Sequence, residues 1–132
     1  MTASPAPSRR PLLLGGLVIA ALFVGFRLWS GGGERIEATD FGSRPADALV
    51  VDVRTDGEWA GGHLAGAVHV PLGGGFEAAM AGYDRDRPVY LYCASGARSG
   101  RAASILEGMG FTRVVNAGGF SSLAAAGAEV AP

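Results

Sequence analysis

Apolar residues fall in short clusters separated by polar, glycine-rich stretches over most of the chain. The runs Leu49–Val51, Ala67–Val70, Val89–Tyr92 and Val114–Val115, with a weaker one at Arg35–Glu37, are rich in β-branched or aromatic residues and predict strands. They are apolar at successive positions, the pattern of strands buried on both faces of a parallel sheet. Between the last two runs, Ala102, Ala103, Ile105, Leu106 and Met109 recur at helical spacing, while Arg101, Ser104 and Glu107 occupy other faces. This predicts a helix from about Ser99 to Met109, closed by Gly110 and by a contact from Phe111 back onto the last turn. Shorter helices are predicted over 75–81 and 120–126. Strands alternating with helices imply right-handed crossovers and a three-layer α/β domain over residues 35–132, with a mostly parallel five-stranded sheet flanked by helices.

The apolar stretch near the N-terminus is of another kind. A head of residues 1–10, ending in Arg9 and Arg10, leads into an uncharged run from Pro11 to Phe26. Counted to Trp29, residues 11–29 form a helix of about 28 Å, enough to cross a hydrocarbon core of about 30 Å. Arg27 can snorkel to the headgroups and Trp29 suits the interface. The paired arginines favour a cytoplasmic N-terminus, which puts the domain on the outer side of the cytoplasmic membrane as a single-pass protein. A cleaved export signal, with Arg9-Arg10 as a twin-arginine pattern, and a buried soluble helix are the competing readings. Residues 30–34 read as a glycine-rich linker.

Composition narrows the classes. At 132 residues the chain has room for one such domain, and its single cysteine excludes an internal disulfide. Beyond residue 29, 8 Arg face 12 Asp and Glu, a net −4, whereas the first 29 residues carry +3. That acidic domain is a poor nucleic-acid binder.

Candidate chemistry gathers where Val89–Tyr92 ends. Cys93-Ala94-Ser95-Gly96-Ala97-Arg98-Ser99 follows that strand and opens the helix, beyond the carboxyl end of a parallel strand, where ligands bind in open sheets. Small residues let successive N–H groups turn inward as an anion nest at the positive end of a helix. A cysteine there has a depressed pKa. A shift from about 8.5 to about 6.5 makes it mostly thiolate at neutral pH. Arg98, at Cys-x4-Arg spacing, can clamp an oxyanion. The ordinary alternative is that Cys93 is a small buried residue. Asp52 and Arg54 end a strand near the expected site; they either orient the Cys93 loop or form a structural ion pair. His63 and His69 with Cys93 fall short of the four closely paired ligands of a structural zinc site, so neither metal nor cofactor is expected. His63 instead bonds backbone near the loop.

These segments together resemble the rhodanese family of sulfurtransferases over nearly all of residues 35–130. Val51-Asp52-Val53-Arg54 with Glu58-Trp59 looks like the family's Asp-Val-Arg segment, and Gly62–Pro71 like its Gly-His-Ile-Pro-Gly-Ala segment. Cys93–Ser99 is similar to the active-site loop, and Gly110-Phe111 through Gly118-Gly119-Phe120 to the closing segment. Ala65 stands where the family usually has proline, and Leu123 where tryptophan is common. The resemblance implies a thiolate of Cys93 that takes the outer sulfur of a donor such as thiosulfate and passes it from a persulfide to a thiol or cyanide. It also implies loop N–H groups from Ala94, Ser95, Gly96, Ala97 and Ser99 that stabilise the persulfide, with Arg98 on the departing oxyanion. Asp52, Arg54 and His63 are implied as supporting residues. A non-catalytic binding or sulfur-sensing module is the alternative. Phosphatases of related fold use Cys-x5-Arg, one residue longer than the loop here.

Overall fold

The apolar runs become the strands of a parallel sheet in the computed structural model, which describes residues 33–132. The strands are β1 (Glu34–Arg35), β2 (Leu49–Asp52), β3 (His63–Leu64), β4 (Val68–His69), β5 (Val89–Cys93), β6 (Val114–Gly119) and β7 (Val130–Ala131). The five-stranded sheet has the order β1-β6-β5-β2-β4 with parallel neighbours throughout, while β3 and β7 form a separate antiparallel pair.

Successive residues of the central strands face opposite sides, as the two-residue period requires. Val89, Leu91 and Cys93 of β5 join one apolar cluster with Leu49 and Val51 of β2; Tyr90 and Tyr92 pack in a second with Val50. The first cluster is covered by α2 (Phe76–Met80) and α3 (Ala97–Gly108), through Phe76, Met80, Ala102, Ala103 and Leu106. The second is covered by a 3-10 helix at Ala38–Ser43, which contributes Phe41, and by α4 (Phe120–Ala125), which contributes Leu123. The expected three layers are therefore present, with Cys93 on the α3 side.

The predicted end of α3 is found as expected. Phe111 N–H donates to Leu106 O and Gly110 N–H to Glu107 O, both at 3.0 Å, and Phe111 is buried. Its start is two residues earlier than expected, at Ala97, because Gly96 at φ 94° makes the entry turn. Arg98 and Ser99 thus sit in the first helical turn rather than in a loop. The strand read at Arg35–Glu37 begins one residue sooner, at Glu34, which shortens the expected linker.

Three features were not anticipated: the 3-10 helix, the β3–β7 pair, and α1 (Asp56–Ala60). Helix α1 buries no residue, so it has no apolar stripe, but it carries a capping box in which Thr55 and Glu58 bond each other's backbone. Among the described residues no helix is long and apolar enough to cross a membrane. The head, the expected membrane helix at 11–29 and residues 30–32 of the linker lie outside the described residues.

Candidate active site

Cys93 is the last residue of β5, and its side chain turns toward α3. Gly96 N–H donates to Sγ at 2.9 Å, and Ser99 Oγ lies 3.5 Å from it. The loop can close this tightly because β6 yields space. A Cβ on Gly119 would stand 2.6 Å from Ala94 O, which is inside contact distance, so only glycine fits. β6 is irregular here: Leu91 pairs with Asn116, but the next residue, Tyr92, pairs with Gly118.

Asn116, buried beside that irregularity, ties the loop from below. Its Nδ2 donates to Gly96 O at 3.0 Å, and its Oδ1 accepts from Gly118 N–H at 3.1 Å and from the Ser99 hydroxyl at 2.7 Å. The two backbone contacts fix which way the amide points. Ser99 has one hydroxyl proton, so it serves either Asn116 or the sulfur at a given moment. Asn116 was missed in the sequence because its contacts lie 17 and 20 residues away in the chain.

Burial pushes the Cys93 thiol up, but the Ser99 hydroxyl and the N–H groups of Ser99, Ser95 and Gly96 outweigh it and bring the pKa down from 9.0 to about 7. About half is thiolate at neutral pH. Ser95, Gly96 and Ser99 of the expected nest act on the sulfur through their N–H groups, while Ala94 and Ala97 are exposed. The burial of this side chain is what the ordinary alternative for Cys93 expects. Cys93 is 0% exposed, because a side chain at this strand position faces the core beneath α3.

Arg98 departs further from expectation. Its Nη1 and Nη2 donate to Glu58 Oε1 and Oε2 at 2.7 and 2.9 Å, which uses two of the five guanidinium N–H donors. The hydrogen bond from Arg98 holds the Glu58 carboxyl at a pKa of about 2. Hydrogen bonding to Glu58, with a smaller contribution from the nearby Cys93 sulfur, raises the pKa of Arg98 against the opposing effect of burial. The Thr55-x-x-Glu58 capping box was the available signal for Glu58; its partner 40 residues on was not.

Among the described residues, the side chains of Asp52, Arg54 and His63 make no hydrogen bond to the Cys93–Ser99 loop. Asp52 and Arg54 pair with each other, Nη2 to Oδ2 at 2.7 Å, and Arg54 also donates to Gly62 O at 2.7 Å and lies 4.3 Å over the Phe120 ring. This is the structural ion pair, and it holds the turn before β3 against α4. His63 stacks on Trp59 at 3.5 Å with Nδ1 3.4 Å from Trp59 O; His69 stacks on the same ring at 4.7 Å. His63 bonds backbone, but that of α1 rather than of the Cys93 loop.

The model of the Rhodanese-like domain family matches residues 37–126. The chain is 40% identical over 75 residues to the thiosulfate sulfurtransferase PspE of Escherichia coli, covering 56% of this chain and 72% of that protein. It is 43% identical over 74 residues to the protein YqhL of Bacillus subtilis, covering 55% of this chain and 58% of YqhL, less than two thirds of that relative. Among solved structures, rhodanese with anions from E. coli matches with a TM-score of 0.56 and 33% identity over 64% of this chain and 96% of that one. A rhodanese-like domain protein from Staphylococcus aureus matches with a TM-score of 0.62 and 26% identity over 68% and 90%.

Proposed function

The chain belongs to the rhodanese-like domain family, and from that premise we propose that it is a sulfurtransferase that carries sulfane sulfur as a persulfide on Cys93. The observation that carries this reading is the hydrogen-bonded sulfur itself, with Gly96 N–H at 2.9 Å and a pKa of about 7. The thiosulfate sulfurtransferase among its relatives supports the donor class.

In the proposed reaction the Cys93 thiolate attacks the outer sulfur of thiosulfate. A bond forms between that sulfur and Sγ, the sulfur–sulfur bond of the donor breaks, and the electron pair leaves with sulfite. A thiolate or cyanide then takes the outer sulfur and returns Cys93 to thiolate. Because Cys93 is buried, a donor reaches the sulfur only when the residues around it move aside. The N–H groups of Ser95, Gly96 and Ser99 stabilise the thiolate and the anionic persulfide alike. Arg98 lies beside the sulfur, and Glu58 offsets its charge there.

Incubating the purified chain with thiosulfate should add about 32 Da, one sulfur atom, to Cys93, and Cys93→Ser should abolish the gain. No adduct with thiosulfate or an organic persulfide would overturn the reading in favour of a binding module of the same fold, which the burial of Cys93 favours. The Cys-x4-Arg loop is one residue shorter than the phosphatase pattern.

In the cell, residues 11–29 serve as a single membrane anchor, with the domain on the outer side of the cytoplasmic membrane. Protease added to intact spheroplasts should remove the domain; full protection would overturn that topology.

A further inference from the structure

We infer that Arg35 is a specificity-determining residue of this site, the guanidinium that receives the anionic end of a sulfur donor. The inference rests on the sulfurtransferase reading above. Arg98, which the loop spacing points to for this role, has both terminal nitrogens on Glu58. Arg98 and Glu58 cancel, so an ionised Cys93 leaves the loop with one net negative charge, which repels a dianion such as thiosulfate.

Arg35 supplies the missing positive charge. Its Nη2 lies 3.9 Å from the point where a Cβ on Gly96 would stand, and Gly96 is the residue whose N–H bonds the sulfur. β1 brings it there by pairing Arg35 with Asn116, the residue that holds the loop from below. Arg35 is exposed, and among the described residues its guanidinium makes no hydrogen bond or ion pair, so no protein carboxylate has to be displaced before it meets a ligand. Among the ion pairs of the described residues, none joins Arg35 to Glu34 or Glu37, the acids flanking it in sequence.

Cys93 is the single cysteine, so alkylation of the full chain reads its surroundings directly. Iodoacetate is an anion and iodoacetamide is neutral; the ratio of their rates cancels any change in thiolate fraction and leaves the field that an incoming anion meets. Arg35→Glu should lower the iodoacetate-to-iodoacetamide ratio about three- to tenfold at low ionic strength, and Arg35→Lys should keep it near wild type. The half-saturating thiosulfate concentration for sulfur loading should rise with Arg35→Glu and stay near wild type with Arg35→Lys. An unchanged ratio in Arg35→Glu would overturn the role of Arg35 even if sulfur loading occurs. If the wild-type chain loads no sulfur, the sulfurtransferase reading fails, while the alkylation ratio still decides whether Arg35 governs anion access.

Discussion

Two arginines grip carboxylates in this domain, and their surroundings give them different work. Arg54 and Asp52 are paired with side chains 6% and 0% exposed, and Arg54 spends its remaining capacity on Gly62 O and on the Phe120 ring. Arg98 and Glu58 are paired as closely, but their side chains are 28% and 33% exposed. A buried pair cannot be opened without leaving a charge in the core, whereas water can take over each half of a rim pair. The first is therefore a fixed joint between the turn before β3 and α4. The second is a reversible contact beside the sulfur, suited to a site whose rim has to move for a donor to enter.

The largest effect should come from the buried joint. Asp52→Ala leaves Arg54 charged and enclosed, and should cost about 3–5 kcal/mol in urea unfolding; a loss below about 1 kcal/mol would erase the contrast with the rim pair. A smaller effect is expected just past β3. Ala65 N–H donates to Glu129 O at 2.9 Å, a bond that ties the end of β3 to the chain entering β7. Proline, which the family usually has there, lacks that donor. Ala65→Pro should destabilise by about 1 kcal/mol; a gain in stability would mean that the β3–β7 tie contributes little.

These two regions were unequally legible in the sequence. β5 and α3 could be read because their apolar period is local: Val89, Leu91, Ala102 and Leu106 announce their burial within their own segment. The nest around Cys93 followed from small residues between a strand and a helix. Neither the exposure of Cys93 nor the partner of Arg98 is a local property. The first depends on which sheet face the last strand residue takes, and the second on Glu58, 40 residues earlier in a helix without a buried face. Asp52 and Arg54 were readable as an ion pair because they share a strand end two residues apart. The bond of Arg54 to Gly62 and its packing on Phe120 needed the fold.

The smallest stability effect, and the sharpest test of the comparison, is expected for Glu58→Gln. An exposed pair contributes about 0–1 kcal/mol, so unfolding should shift by less than about 1 kcal/mol. The sign of its pH dependence is set by a carboxyl at about 2 in the folded chain against 4.5 for the free group. Its contribution is complete above pH 4.5 and lost as pH falls toward about 2, and glutamine should remove that acid-side slope. Chemistry should move the other way from stability. With Glu58 neutral, the charge of Arg98 acts on the sulfur uncompensated and favours the thiolate. Alkylation of Cys93 by iodoacetamide at pH 6 should then run about two- to threefold faster. Slower alkylation would mean that Glu58 positions Arg98 rather than offsetting its charge, and the rim pair would then be a joint of the same kind as the buried one.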